Sequence, residues 1–219
     1  MKILALTDIH GSYERAESIL RREHPFDVLI IGGDLTTRGT PAEADRALRR
    51  FRSFDAPVLT VAGNMDPPEL EATFDASAMS INGKGIMVGN VGFCGVSGCP
   101  PTPLHTPYEI PEEEIARRAE RGWSDIQTAG TLVFVPHAPP YRTTLDRLFT
   151  GTHVGSTSVR AFIEQRRPQV VICGHIHEAH GTETLGPTQM VNCGPAAKGH
   201  YAVITLGKTI TVQRREARE

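Results

Sequence analysis

Seven side chains able to bind a cation recur at the ends of apolar runs in this chain. In "TDIHG", Asp8 and His10 stand two residues apart. Side chains at i and i+2 of extended backbone point the same way, so this pair can grip one ion. "IIGGDL" leaves Asp34 after two glycines, and "VAGNMDPP" leaves Asn64 after another. "LVFVPHAPP" runs into His137, and "VVICGHIHE" into His175 and His177, again at i and i+2. Imidazole, carboxylate and amide oxygen together suit manganese, iron, cobalt or zinc better than a hard cation that needs only oxygen. One tetrahedral site uses four ligands, so this set favours two metals sharing a carboxylate.

Taken one at a time, each motif has an ordinary structural explanation. Asp8 can cap the following helix, Asp34 can serve a turn, and His137 can be a satisfied histidine beside a proline turn. His175, His177 and His180 also suggest a separate zinc cluster, but a fourth ligand and an H-E-x-x-H spacing are both missing. Their joint occurrence, each after an apolar run, points to one metal centre.

The elements that must hold these groups alternate. "KILALT" (2–7), "DVLIIG" (27–32) and "PVLTVAG" (57–63) read as strands, and "YERAESILRRE" (13–23) and "PAEADRALRRFRSF" (41–54) as helices. This βαβαβ pattern implies a sheet covered on both faces, with ligands gathered beyond the carboxyl ends of its strands. Further strands are expected at 86–89, 91–96, 131–135, 169–173, 188–192, 201–205 and 209–213, with a helix at 156–166. The late strands follow one another without helices, which predicts a second, partly antiparallel sheet. "SGCPPTPLHTPYEIP" (97–111) carries five prolines and is expected to be a long surface loop. The terminal "RREARE" is expected to fray.

A chain of 219 residues without a linker-like composition shift is expected to form one domain over 1–219. Its formal charge of −2 provides no basic field for duplex nucleic acid, so phosphate binding must be local. The opening apolar run reaches Asp8 too soon for a signal-peptide core or a membrane span, and a cytoplasmic location is expected. The four cysteines contain no C-x-x-C pair and read as buried free thiols.

In this order, D-x-H, G-D, G-N, a lone histidine after a strand and G-H-x-H resemble the motifs of the calcineurin-like metallophosphoesterase superfamily, from Asp8 to His177. "VNCGPAAKGHYAVITL" is similar to the closing strands of its small bacterial and archaeal members. The resemblance implies an α/β fold: an αββα sandwich of two mixed sheets, with a dinuclear metal site at strand ends. It implies that Asp8, His10, Asp34 and His177 hold one ion, that Asp34 bridges to a second, and that Asn64, His137 and His175 complete it. Catalytic roles would fall to Asp34, Asn64 and His137. Two divalent ions are expected, manganese first, with iron, zinc or cobalt as alternatives.

Two departures bear on activity. Many members read G-N-H-D or G-N-H-E, and that histidine protonates the leaving group; here Met65 stands there. The protein-phosphatase branch reads G-D-x-x-D-R-G, whereas "GDLTTRG" puts Thr37 at the second acid while keeping Arg38 and Gly39. Both halves of the proton-donating dyad are therefore absent together. General-acid help is worth about 10²- to 10⁴-fold for a poor leaving group, so acidic leaving groups and diesters lose least without it.

Two divalent ions less Asp8, Asp34 and a bridging hydroxide leave roughly +1, enough to attract a phosphate. The expected activity is hydrolysis of a small organic or nucleotide-like phosphodiester by attack of metal-bound hydroxide. The alternatives are a phosphomonoesterase, including a protein phosphatase, and a metal-stabilised binding module without turnover. A nuclease is disfavoured, because no basic groove or aromatic platform is legible. Substrate contacts are sought at Asn64 and Arg38 and, as donors carried on loops, at His105 and His153, where exposed loop histidines are the simpler reading. Asp66 either supports a ligating histidine or caps the turn before Pro67. The expected partner is a small phosphoester, with no membrane contact; self-association stays open.

Overall fold

In β1 (Lys2–Leu6) every residue after the first is buried, yet successive side chains enter different cores. Ile3 and Ala5 join one cluster and Leu4 and Leu6 another, the alternation that strand geometry imposes. In β2 (Val28–Gly32), Val28 and Ile30 join the first cluster and Leu29 and Ile31 the second. The first cluster also takes Phe93, Val133, Val135, Val170, Ile172 and Val191, which come from other strands. It is the layer between two sheets.

The computed structural model describes residues 1–217. One six-stranded sheet has the order β12 (Ile210–Glu216), β11 (His200–Leu206), β1, β2, β3 (Val58–Val61), β4 (Met79–Ser80). The other has the order β5 (Gly85–Val88), β6 (Val91–Val96), β7 (Thr131–Pro136), β8 (Val170–Cys173), β10 (Thr188–Asn192), β9 (Gly181–Leu185). β1, β2, β3 and β4 are parallel, as are β6, β7, β8 and β10; β11, β12, β5 and β9 run antiparallel to their neighbours. The expected α/β sandwich of two mixed sheets flanked by helices is the observed fold.

The helices α1 (Tyr13–Glu23), α2 (Pro41–Arg52), α3 (Leu70–Ser77), α4 (Glu112–Ser124) and α5 (Thr157–Arg166) cover the outer faces. α2 shows why such segments form. Thr40 caps it by accepting from the Glu43 N–H, Pro41 opens it, and Ala44, Ala47, Leu48 and Phe51 form its buried stripe. Arg49, Arg50 and Arg52 sit in the last turn, where the helix dipole favours positive charge.

Several expectations need correction. β11 and β12 close the first sheet rather than the second. "RREARE" does not fray as a whole: β12 continues to Glu216, Arg215 lies opposite Tyr201, and its guanidinium is 2.9 Å from the buried Glu23 carboxylate. Residues 218–219 of that stretch lie outside the described residues. Segment 97–111 is irregular as expected, yet Ser97, Cys99, Tyr108 and Ile110 are buried, so only its middle is a surface loop. The four cysteines are free and buried. Among the described residues, no helix is long and apolar enough to cross a membrane.

Candidate metal centre

All seven candidate ligands lie just beyond the carboxyl ends of β1, β2, β3, β7 and β8, where the two sheets meet. The connections are locked side by side. The Asp8 N–H donates to Gly33 O, His10 N–H to Asp34 O, and the His137 Nδ1–H to Gly32 O at 2.9 Å. A carbonyl can only accept, so Nδ1 of His137 carries a proton and Nε2 is the nitrogen turned toward the site, available to a metal in place of its own proton. Asp8, His10, Asp34 and His175 adopt φ between 46° and 68°, a left-handed conformation that Asp and His tolerate better than most residues.

Two glycines are required by close approach. A Cβ on Gly63 would sit 2.0 Å from Asp34 Oδ1, and one on Gly174 would sit 2.3 Å from Asp8 Oδ2. Each glycine of G-N and G-H-x-H thus makes room for an acid from another strand.

The donor atoms form two neighbouring groups. His10 and His177 have ring centroids 5.4 Å apart, and His137 and His175 5.2 Å apart. Asp34 Oδ2 lies between the pairs, 3.6 Å from His10 Nε2 and 3.5 Å from His137 Nε2. Asp8 Oδ1 is 3.2 Å from His177 Nε2, and Asn64 Oδ1 is 3.1 Å from His137 Nε2 and 2.7 Å from His175 Nδ1. Ligand atoms bound about 2.1 Å from an ion stand roughly 3 to 3.5 Å from one another, so this spacing fits coordination by nitrogen and oxygen. Asp8, His10 and His177 form one group that could hold a metal, and Asp8, Asp34 and His137 a second.

The electrostatics show a site organised for positive charge. Burial opposes ionisation of Asp8, but the His177 hydrogen bond and the charges of His137 and His177 outweigh it and hold the carboxyl below its usual range. Burial opposes protonation of His137, yet the Asp34 and Asp8 carboxylates raise it to about 9. His175 is pushed down to about 4 by burial and by the charge of His137. His177 is raised by its hydrogen bond to Asp8 against the effect of burial.

Three acids hold the surrounding loops. Asp66, fully buried, accepts from the N–H groups of Gly63, Leu35 and Thr36 and from the Thr36 hydroxyl. It therefore neither supports a ligating histidine directly nor merely caps the turn; it joins the G-D and G-N loops. Burial and the charge of Asp34 push it up to about 7. Glu109 gathers the N–H and hydroxyl of both Thr102 and Thr106. Asp146 accepts from the N–H groups of Arg142, Thr143 and Gly155 and pairs with His153 Nδ1 at 2.7 Å.

These loops enclose a cavity of about 660 Å³ over the donor cluster. Its remaining wall is mostly apolar: Met65, Pro103, Leu104, Leu148, Val154 and Ile176. The Met65 backbone is fixed, with N–H donated to Asp34 Oδ1 at 2.7 Å and O accepting from the Arg38 N–H. Arg38, His105 and His153 do not line the cavity: Arg38 and His105 are exposed, and His153 is bound to Asp146. Sequence reading gave Thr37 no role of its own, but its hydroxyl is 2.8 Å from His10 Nδ1 and orients that ring. Only the pairing of the two loops, through His10 N–H to Asp34 O, brings those residues together.

The family model for calcineurin-like phosphoesterases matches residues 1–179. The chain belongs to the calcineurin-like phosphoesterase family, whose members hydrolyse phosphoesters with bound metal. The protein MJ1162 of Methanocaldococcus jannaschii is 34% identical over 210 residues, covering 94% of this chain and 92% of that one. Among solved structures, TT1561 of Thermus thermophilus matches with a TM-score of 0.78 at 18% identity, covering 97% of each chain. The phosphopantetheinyl hydrolase PptH of Mycobacterium tuberculosis matches with a TM-score of 0.66 at 17% identity, covering 89% of this chain and 90% of that one. Both structural likenesses concern the fold.

Proposed function

We propose that this chain is a dinuclear metal-dependent phosphodiesterase acting on a small organic phosphodiester. The observation that carries the diester preference is Met65: it forms cavity wall directly after Asn64, and besides the donor residues the hydroxyls that line the cavity, those of Thr102 and Thr106, are already donated to Glu109. A leaving group that departs without a strong acid must be acidic itself or belong to a substrate held well enough to react without that help.

In this reading Asp8, His10, Asp34 and His177 hold one ion, and Asp34, Asn64, His137 and His175 the other. The position of Asp34 Oδ2 between His10 and His137 supports its role as bridge. Manganese is the first choice, and iron, zinc and cobalt suit the same donors. When bound, two such ions supply an activated water and stabilise charge on the phosphoryl oxygens. The chain's own residues then act by position: Met65 N–H fixes the Asp34 carboxylate, Gly32 O fixes the His137 tautomer, and Thr37 orients His10.

Initial rates on an aryl phosphodiester and the matching aryl monoester test this, using metal-stripped protein reloaded with manganese and an Asp34→Asn control. Diester turnover that exceeds monoester turnover and disappears in the control is the expected result. Monoester preference overturns the diester assignment, and no turnover above the control overturns the enzyme reading.

A further inference from the structure

The cavity over the donor cluster has two chemically distinct ends. One end is the cluster itself. The other is formed by Pro103, Leu104, Leu148 and Val154, brought in by the loops that Glu109 and Asp146 organise, while Met65 and Ile176, next to the donors Asn64 and His175, add apolar wall beside the cluster. Among the described residues no lysine or arginine lines the cavity, so a second phosphate would find no counter-charge there beyond the metal centre. The two threonines in the wall, Thr102 and Thr106, both spend their hydroxyls on Glu109, at 2.7 and 2.8 Å. A sugar or nucleobase would therefore lose hydrogen bonds to water on entering and regain few, which is unfavourable.

Exposure strengthens the same conclusion. Leu104 is 80% exposed and Phe149 is 89% exposed, the two highest values among the large apolar side chains described. Leu104 lines the cavity from one loop. Phe149 follows the lining residue Leu148 on the other, and its N–H is held by the carboxylate of Glu178, the residue after His177. Phe149 is not itself part of the wall, but Leu104 and Val154 are, and lining apolar side chains left open to water in a concave site mark a binding surface.

We propose that the substrate carries one apolar arm, an alkyl chain or an aryl group, which lies between the two loops while its phosphoryl group meets the donor cluster. This rests on the phosphoesterase reading and goes beyond it by defining the substituent. The cavity volume of about 660 Å³ lies within the range of sites that enclose a small organic ligand, and exceeds what a bare phosphoryl group needs.

The test uses manganese-loaded protein with 4-nitrophenyl phosphodiesters whose second ester is methyl, butyl or octyl, each below its micelle concentration, and with a thymidine 5′ diester of the same leaving group. kcat/KM is expected to rise about three- to fourfold for each methylene buried until the cavity is filled, and the thymidine ester is expected to fall below the butyl ester. Leu104→Asp and Val154→Asp should each reduce the octyl-to-methyl ratio at least tenfold. Equal kcat/KM across chain lengths, or a preferred thymidine ester, overturns the proposal.

Calorimetric titration with methyl- to octylphosphonate separates this inference from the one beneath it. Affinity that grows with chain length in the absence of any turnover supports the apolar arm and overturns the hydrolase. Turnover with chain-length-independent binding does the reverse. An aryl phosphodiester carried on diacylglycerol in phosphatidylcholine vesicles identifies the source of the arm: its hydrolysis supports a membrane lipid, and hydrolysis of the free alkyl esters alone supports a diffusible compound.

Discussion

Asp66 binds Thr36 twice, accepting its backbone N–H and its hydroxyl at 2.8 Å each, and so fastens the loop bearing Asn64 to the loop bearing Asp34. Its other oxygen takes the N–H groups of Leu35 and Gly63. Asp66→Ala leaves three buried backbone donors without a partner, each costing about 1 to 3 kcal/mol. A loss on the order of 3 kcal/mol or more is expected by chemical denaturation, together with weaker metal retention. Asp66→Asn keeps the shape but offers one acceptor oxygen, and should fall between the two.

Metal binding should stabilise the fold, because the donors come from five separated strand ends and come together only in the folded chain. Manganese or zinc is expected to raise Tm and a chelator to lower it. Elemental analysis should find two ions per chain in the wild type and fewer in Asp34→Asn, since Asp34 Oδ2 faces both histidine pairs. A count of two in Asp34→Asn would remove Asp34 from the bridging position.

Much of this centre was legible in the sequence because its motifs follow strands that are unbroken apolar runs. β6 and β10 span the expected 91–96 and 188–192, and α1 the expected 13–23. α4 went unpredicted although its amphipathic period is as strong as that of α1 and α2, with Ile115, Ala119 and Gly122 on its buried face. Pro111 and the three acids Glu112, Glu113 and Glu114 in its first turn were a further clue. β9, an edge strand reading Gly-Thr-Glu-Thr-Leu, lacks the apolar run by which the other strands were found. Asp66 and Thr37 act through contacts between distant loops, of which spacing along the chain carries no trace, whereas Glu109 and Asp146 fold their own loops through partners within ten residues that lie in stretches without a regular period.

Glu109 makes the loop over the cavity sensitive to acid. Burial opposes its ionisation, but the hydrogen bonds from Thr102 and Thr106 prevail and lower its pKa from 4.5 to about 2. A lowered folded value means that the stabilisation is complete above 4.5 and is lost as the pH falls through about 2. The amide resonances of Thr102 and Thr106 should move across that window. Glu109→Gln should abolish the movement and, at neutral pH, increase amide exchange across 102–106 by weakening bonds to a charged acceptor worth on the order of 1 to 2 kcal/mol.

Met65→His is the direct test of the missing acid. The backbone at this position is held by Asp34 Oδ1 on one side and by the Arg38 N–H on the other, and the side chain already faces the cavity, so an imidazole can be introduced without moving Asn64. The benefit should depend on the leaving group. A 4-nitrophenolate departs readily and should gain little, whereas an alkoxide should gain at least tenfold, within the 10²- to 10⁴-fold ceiling that a well-positioned acid reaches. The ceiling is not expected, because Thr37 provides no carboxylate to orient the new ring and its hydroxyl already serves His10. Plotting log kcat/KM against leaving-group pKa for wild type and variant reads the effect: a shallower slope in Met65→His, with a new fall in rate as the imidazole loses its proton at higher pH, is the expected outcome. Parallel slopes would mean that protonation of the leaving group already has another source in this chain.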